Sequence, residues 1–201
     1  MEKNNVPKII TILFLILTIF TGIYDYVFRN GEKLPRVILL VAVICGCYLL
    51  FKKTFLHKSS VAYYIALIFI FISIYLANLW DFYGLPRYDK FLHLVSGILL
   101  AFYGVIIYCN LCGKDIKDLS KNKMIFVFPF IFCLAVAGGW EIWEFTTDSL
   151  FNLNAQNNSL LDTMTDIICG TVGGTISCIL LYIHYRIRKI KLISVLIKEN
   201  T

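Results

Sequence analysis

The chain has 201 residues, 59% hydrophobic and 16% charged, with mean hydropathy +0.75 and formal net charge +6. A soluble domain is nearer half apolar and a quarter charged, so this composition excludes an ordinary soluble enzyme and leaves no length for a separate soluble domain. Seven cysteines, an odd number lying in apolar segments or at their ends, exclude a disulfide framework, and the lone Cys109-x-x-Cys112 lacks the partners a redox or zinc role needs.

A membrane helix needs about 20 mostly apolar residues. Six segments meet or approach that length, at about 7–28, 35–51, 61–80, 91–108, 124–145 and 161–185. The reading is all-α: one polytopic membrane domain over residues 1–201, with six transmembrane helices. The short basic start resembles a signal peptide. No small-residue cleavage site follows it, so an uncleaved anchor is expected.

With six spans, both termini and the second and fourth loops share one side. That side holds 14 basic residues: Lys3, Lys8, Lys52, Lys53, Lys58, Lys114, Lys117, Lys121, Lys123, Arg186, Arg188, Lys189, Lys191 and Lys198. The other holds five: Arg29, Lys33, Arg36, Arg87 and Lys90. Cytoplasmic loops carry the excess of Lys and Arg, so both termini are expected in the cytoplasm. The net charge then needs no nucleic-acid partner, and the run from Arg186 to Lys191 is expected on anionic headgroups. Membrane lipids are the partners this implies.

The acids run the other way. Four of the 13 (Glu2, Asp115, Asp118, Glu199) fall on the cytoplasmic side. The other nine are Asp25, Glu32, Asp81, Asp89, Glu141, Glu144, Asp148, Asp162 and Asp166, at or near outer helix ends. The positive-inside effect does not require this, because acids contribute little to it.

Three helix ends carry the spacing of a site. Asp89 and His93 are four apart at the start of the fourth helix, with Lys90 between them. Glu141 and Glu144 share a face near the end of the fifth, and Asp162 and Asp166 share one at the start of the sixth. All three ends meet the same membrane surface. Small residues offer the close packing that convergence needs: Gly170 and Gly174 in the sixth helix, Gly138 and Gly139 in the fifth, Ser96 and Gly97 in the fourth.

One imidazole among several carboxylates suits two kinds of chemistry. A divalent cation removes the repulsion between the acids: oxygen ligands favour Mg²⁺, Ca²⁺ or Mn²⁺, and an added His admits Mn²⁺, Zn²⁺ or Fe²⁺. The candidate ligands are Asp89, His93, Glu141, Glu144, Asp162 and Asp166. Alternatively, closely spaced acids share protons as a general acid/base set or relay, with His93, Glu141, Glu144 and Asp166 as the working groups. The sequence has no Gly-x-Ser-x-Gly elbow, phosphate-cradling loop, His-Glu-x-x-His or dinucleotide fingerprint.

Plainer roles compete for several of these residues. Asp89 and Asp162 suit first-turn capping. Lys90 and Arg87 read as headgroup anchors rather than partners of nearby acids. Trp80, Trp140 and Trp143 suit an aromatic belt. His57 and His184 read as surface groups, and Asp25 and Asp81 as isolated interfacial residues.

The segments Tyr88-Asp-Lys-Phe-Leu-His93, Trp140-Glu-Ile-Trp-Glu-Phe145 and Asp162-x-x-x-Asp166 resemble the YjdF-type family of uncharacterised bacterial inner-membrane proteins. More distantly they are similar to VanZ-like proteins. The resemblance covers about Trp80 to Gly174. Two features depart from the family pattern. A Gly-Thr-Gln-Gly-Asp-like turn stands here as Asn154-Ala-Gln-Asn-Asn158, with Gln156 its surviving member, and Leu161 replaces a Trp. The resemblance implies a polytopic envelope protein of the cell membrane and no particular reaction.

The favoured reading is an enzyme acting on a lipid or lipid-linked envelope precursor, through an acidic, metal-binding site opening at the outer leaflet. It would hydrolyse or transfer a phosphoryl or acyl group. An ion-coupled transporter would usually place its site near the midplane between repeated halves, and neither feature is present. A structural or accessory protein, its acids only fixing helix packing, is the other alternative. Oligomeric state is left open.

Overall fold

The computed structural model describes residues 6–112 and 123–200. Lys3, Lys114, Lys117 and Lys121 of the basic count, and Glu2, Asp115 and Asp118 of the acids, lie outside the described residues. The described residues form helices α1 (Val6–Phe28), α2 (Leu34–Lys53), α3 (Ser60–Ile70), α4 (Tyr88–Cys112), α5 (Met124–Phe151), α6 (Leu160–Arg186) and α7 (Lys191–Asn200). They contain no strand. A π-helical stretch, Phe71–Leu79, continues α3. Six helices are long and apolar enough to cross a membrane: α1, α2, α3 with its π-helical continuation, α4, α5 and α6. The chain divides into two compact units, Met1–Pro86 and Arg87–Thr201.

In the first unit, hydroxyl pairs and aromatic rings join the helices. Thr11 and Tyr63 share a 2.5 Å hydrogen bond, and Thr21 and Tyr75 one of 2.9 Å. Phe14 packs against Phe71 and Tyr75. Between apolar helices in lipid, such contacts replace the hydrophobic drive that water would supply. The α1–α2 turn rests on Asp25. Its carbonyl accepts the N–H groups of Arg29 and Gly31, and its carboxylate accepts the Lys33 N–H at 2.8 Å, just before α2. Gly31 turns the chain at φ +75°, a conformation that favours glycine. The expectation that Asp25 and Asp81 are isolated is corrected here. Asp25 is buried, and Asp81 accepts from the Lys33 ammonium at 2.5 Å, with Arg36 3.8 Å away.

In the second unit α4 runs antiparallel to α5 and parallel to α6. Gly97 faces Gly170, and Gly173 faces the Leu94 carbonyl, so closely that a Cβ on Gly97 or Gly173 would overlap the facing backbone. Gly104 stands in the same relation to Pro129. The Cys133 thiol donates toward the carbonyls of Gly97 and Gly170 at 3.3 and 3.5 Å, and Ser177 donates to Ile98 O at 2.9 Å. The inward face of α5 is therefore Pro129, Cys133, Ala137 and Glu141, spaced by four. Gly138 and Gly139 were expected to pack against a neighbour. A Cβ at either position would meet nothing within 4 Å, because both fall on the flanks of that face.

Three further features differ from the sequence reading. Helix α5 runs six residues past Phe145, its outer turns held by Thr146 and Thr147 donating to Ile142 O and Trp143 O, and it stops where Asn152 turns left-handed at φ +54°. After the basic run the chain forms α7, which packs on α4 and buries Ile193 and Leu196. His184, expected at the surface, is buried at the end of α6, where its Nδ1 accepts the Ile190 N–H at 2.9 Å. His57 is exposed, as expected.

Candidate functional site

The packing of α4 between α5 and α6 brings three helix ends together. Parallel packing on α6, made close by the glycines, sets Asp89, Lys90 and His93 beside Asp162 and Asp166. Antiparallel packing on α5 sets Glu141 on the other side of His93. Ser159 caps α6 by accepting the Asp162 N–H, so Asp162 itself is free to reach inward from the first turn.

Lys90 is the hub. Its ammonium lies 2.6 Å from Asp162 Oδ1, 2.8 Å from Asp166 Oδ2 and 3.3 Å from Asp89 Oδ2. The headgroup-anchor reading of Lys90 is therefore corrected: its ammonium turns onto three carboxylates. Asp162 also accepts from Asn157 Nδ2 at 2.9 Å.

His93 lies on the far side of the same carboxylates. Its Nε2 is 3.7 Å from Asp89 Oδ1 and 3.7 Å from Asp166 Oδ1, and its Nδ1 is 4.0 Å from Glu141 Oε1. These separations exceed a hydrogen bond. Asp166 and Glu141 are 2% and 3% exposed; Asp166 Oδ1 also lies 2.8 Å from the Lys90 ammonium, and Glu141 Oε1 has no hydrogen-bond partner among the described residues. A buried carboxylate oxygen without a partner is costly, and one ammonium shared among three carboxylates leaves acidic groups in excess around His93. Asp89, His93 and Asp166 each offer one ligand atom, all within 4.8 Å of one another. Ligands on one ion at bonds of about 2.1 Å stand about 3.0–3.4 Å apart, so the two 3.7 Å separations from His93 Nε2 would have to shorten to share an ion.

The other sequence candidates fall outside this triangle. Glu141 faces the second nitrogen of His93. It is also tied to the α5–α6 loop by Gln156, whose amide donates to Glu141 O at 3.2 Å and Oε2 at 3.5 Å. Glu144 accepts from Trp140 Nε1 at 2.8 Å and makes no ion pair among the described residues. Asp162 is committed to Lys90 and Asn157. Asp148 holds the loop by accepting the N–H groups of Ala155 and Gln156 at 2.8 and 3.0 Å. Sequence reasoning named Lys90 but preferred an anchor to a partner of the acids, and it missed the Gln156 link to Glu141. The signal for Gln156 was its survival in an otherwise altered turn.

Beside the triangle of Asp89, His93 and Asp166, α5, the loop and α6 form a groove of about 760 Å³, lined by Glu141, Asp148 and Gln156 among polar groups and by Ile142 and Phe145 among apolar ones.

The model of a family described as "Predicted membrane protein (DUF2238)" matches residues 6–187, and the chain belongs to that family. The YjdF-type proteins that the motifs resemble are in it. No curated protein and no solved structure matches the chain.

Proposed function

We propose that this member of the DUF2238 family holds a divalent cation on Asp89, His93 and Asp166, and uses it to hydrolyse or transfer a phosphoryl or acyl group of a lipid or lipid-linked envelope substrate. The observation that carries the reading is that Asp89, His93 and the buried Asp166 bring three ligand atoms within 4.8 Å of one another, with one ammonium to balance three carboxylates. A donor set of one nitrogen and two oxygens suits Mn²⁺, Zn²⁺ or Fe²⁺ better than the all-oxygen preferences of Mg²⁺ or Ca²⁺. Glu141 stands where a metal-bound histidine needs a carboxylate for its other ring nitrogen. A bound divalent ion supplies a Lewis acid and a water ionisable near neutral pH. Lys90 keeps Asp162 when Asp166 turns to the ion, and its charge lies beside any anion brought to the site.

The orientation belongs to the same proposal. The 14-to-5 split of basic residues puts the site end of α4, α5 and α6 on the extracytoplasmic side of a bacterial cell membrane, with both termini in the cytoplasm. The VanZ-like resemblance rests on the motifs alone and adds no reaction.

A second reading has its own observation. His93 lies between two buried acids, as a proton relay would require. The experiment separating the two is complementation of a deletion strain by His93→Ala, Asp89→Asn and Asp166→Asn, together with thermal shifts of the purified proteins on adding Mn²⁺ or Zn²⁺. The ion reading predicts that the wild type melts higher with ion, by mass action on the folded state. All three variants lose both that shift and complementation. Complementation by the wild type with no ion-dependent shift favours the relay. Orientation is checked with single cysteines on a cysteine-free background. Those in the loop after α5 should react with an impermeant reagent in whole cells, and those between residues 114 and 123 should not.

A further inference from the structure

We propose that the groove between the outer half of α5, the α5–α6 loop and the start of α6 binds a long-chain amphiphile whose headgroup carries an ammonium. The groove meets the proposed ion site at Glu141, one of whose carboxylate oxygens faces His93. Its volume, about 760 Å³, falls in the range of sites that take small organic ligands. One wall is apolar and open: Ile142, Phe145 and Leu160 are among the most exposed large side chains of this unit. Such residues are ordinary against lipid tails. What sets this stretch apart is that Glu141, Asp148 and Gln156 share it with them. Polar groups at a lipid-facing position are costly unless something pairs with them.

Charge selects the headgroup. The groove is lined by two carboxylates and by no lysine or arginine. Asp148 is already held by two loop N–H groups. Glu141 is 3% exposed, and the Gln156 amide reaches its Oε2 at 3.5 Å. A buried carboxylate so weakly held attracts a cation and repels a phosphate. An ammonium at Glu141, with its chain along Ile142 and Phe145, satisfies both walls at once.

The test uses full-length protein in lipid nanodiscs and three photoreactive probes of identical chain, ending in a primary amine, a hydroxyl or a phosphate. The amine should label residues 138–167 at least about fivefold more than the phosphate. Glu141→Gln should erase that preference. Gly138→Leu fills the groove without crowding, because a Cβ there meets nothing within 4 Å and leucine suits a helix better than glycine. It should reduce groove labelling by the amine and the hydroxyl probes, while melting temperature and ion content stay at wild-type values. Equal or stronger labelling by the phosphate overturns the proposal. So does amine labelling that Gly138→Leu leaves unchanged, or labelling spread evenly over all lipid-facing helices. Loss of bound ion in His93→Ala with amine labelling intact would separate the groove from the ion site.

Discussion

Each compact unit carries a polar cluster at helix ends, and the two clusters balance charge differently. In the first, Lys33 and Arg36 face Asp81, Arg36 donates to Asn78 O, and Arg29 donates to Leu79 O while its guanidinium lies 5.6 and 5.4 Å from the Tyr24 and Trp80 ring centroids. Cations outnumber the acids they meet, and their other partners are backbone carbonyls and aromatic rings. This cluster fastens helix ends. In the second, Lys90 faces Asp89, Asp162 and Asp166, with Glu141 beyond His93. Acids are in surplus, with one ammonium shared among three carboxylates. A cluster whose cations find carboxylate, backbone and ring partners is a clamp, whereas the acidic surplus around Lys90 is what the proposed cation would balance.

The comparison breaks first at Lys90. Lys90→Met should remove the one obligate cation from among three carboxylates and destabilise the second unit by about 3 kcal/mol. That is the lower end for a broken buried pair, because the ammonium is partly exposed. Loss of folded protein in detergent, or a melting temperature several degrees lower, checks this. An unchanged melting temperature would mean that the carboxylates are not ionised together.

Next comes Asp25. Asp25→Ala strands the buried Lys33 N–H and should cost about 2 kcal/mol, read as a lower midpoint of thermal unfolding. Asp166→Asn should do the opposite of a clamp mutation. Lys90 keeps Asp162 and Asp89, the surplus falls by one, and metal-free stability should change by less than about 1 kcal/mol while ion binding is lost. Equal loss of stability in Asp25→Ala and Asp166→Asn would erase the distinction between the units.

The smallest effect belongs to Asp81. Its hydrogen bond from Lys33 holds its carboxyl below the ordinary value of 3.8. A carboxylate depressed in the folded state stabilises above its unfolded pKa, and that contribution is lost as pH falls through the folded value. The loss should therefore appear only in acid, below about pH 4. Because Asp81 is largely exposed, the pair is worth under about 1 kcal/mol. Lys33→Met should lower stability by that small amount at neutral pH and leave strong acid, where the wild type has already lost the pair, almost untouched.

The spans were legible because hydropathy over about 20 residues is a strong signal. The ion triangle was legible because spacing by four puts Asp89 with His93 on one helix face and Asp162 with Asp166 on another. Lys90 was misread because an anchoring lysine and a buried one have the same sequence signature at a helix end. The difference is made by carboxylates 72 and 76 residues away. Gly173 was missed and Gly138 with Gly139 overrated for a related reason: which glycine meets a backbone depends on the facing helix, and a single sequence carries no register between helices. Helix α7 is ten residues long, too short for a hydropathy window, and its apolar positions matter only because α4 is there to receive them.

The central claim is that the acidic surplus around His93 is completed by a divalent cation. Elemental analysis of purified full-length protein, before and after chelation and reloading with Mn²⁺ or Zn²⁺, tests it directly. The account predicts one ion per chain after reloading, lost in His93→Ala and Asp166→Asn and retained in Glu144→Gln, whose carboxylate makes no ion pair with the triangle. Wild-type protein that holds no ion after reloading, or that holds one equally well without His93 and Asp166, would contradict it.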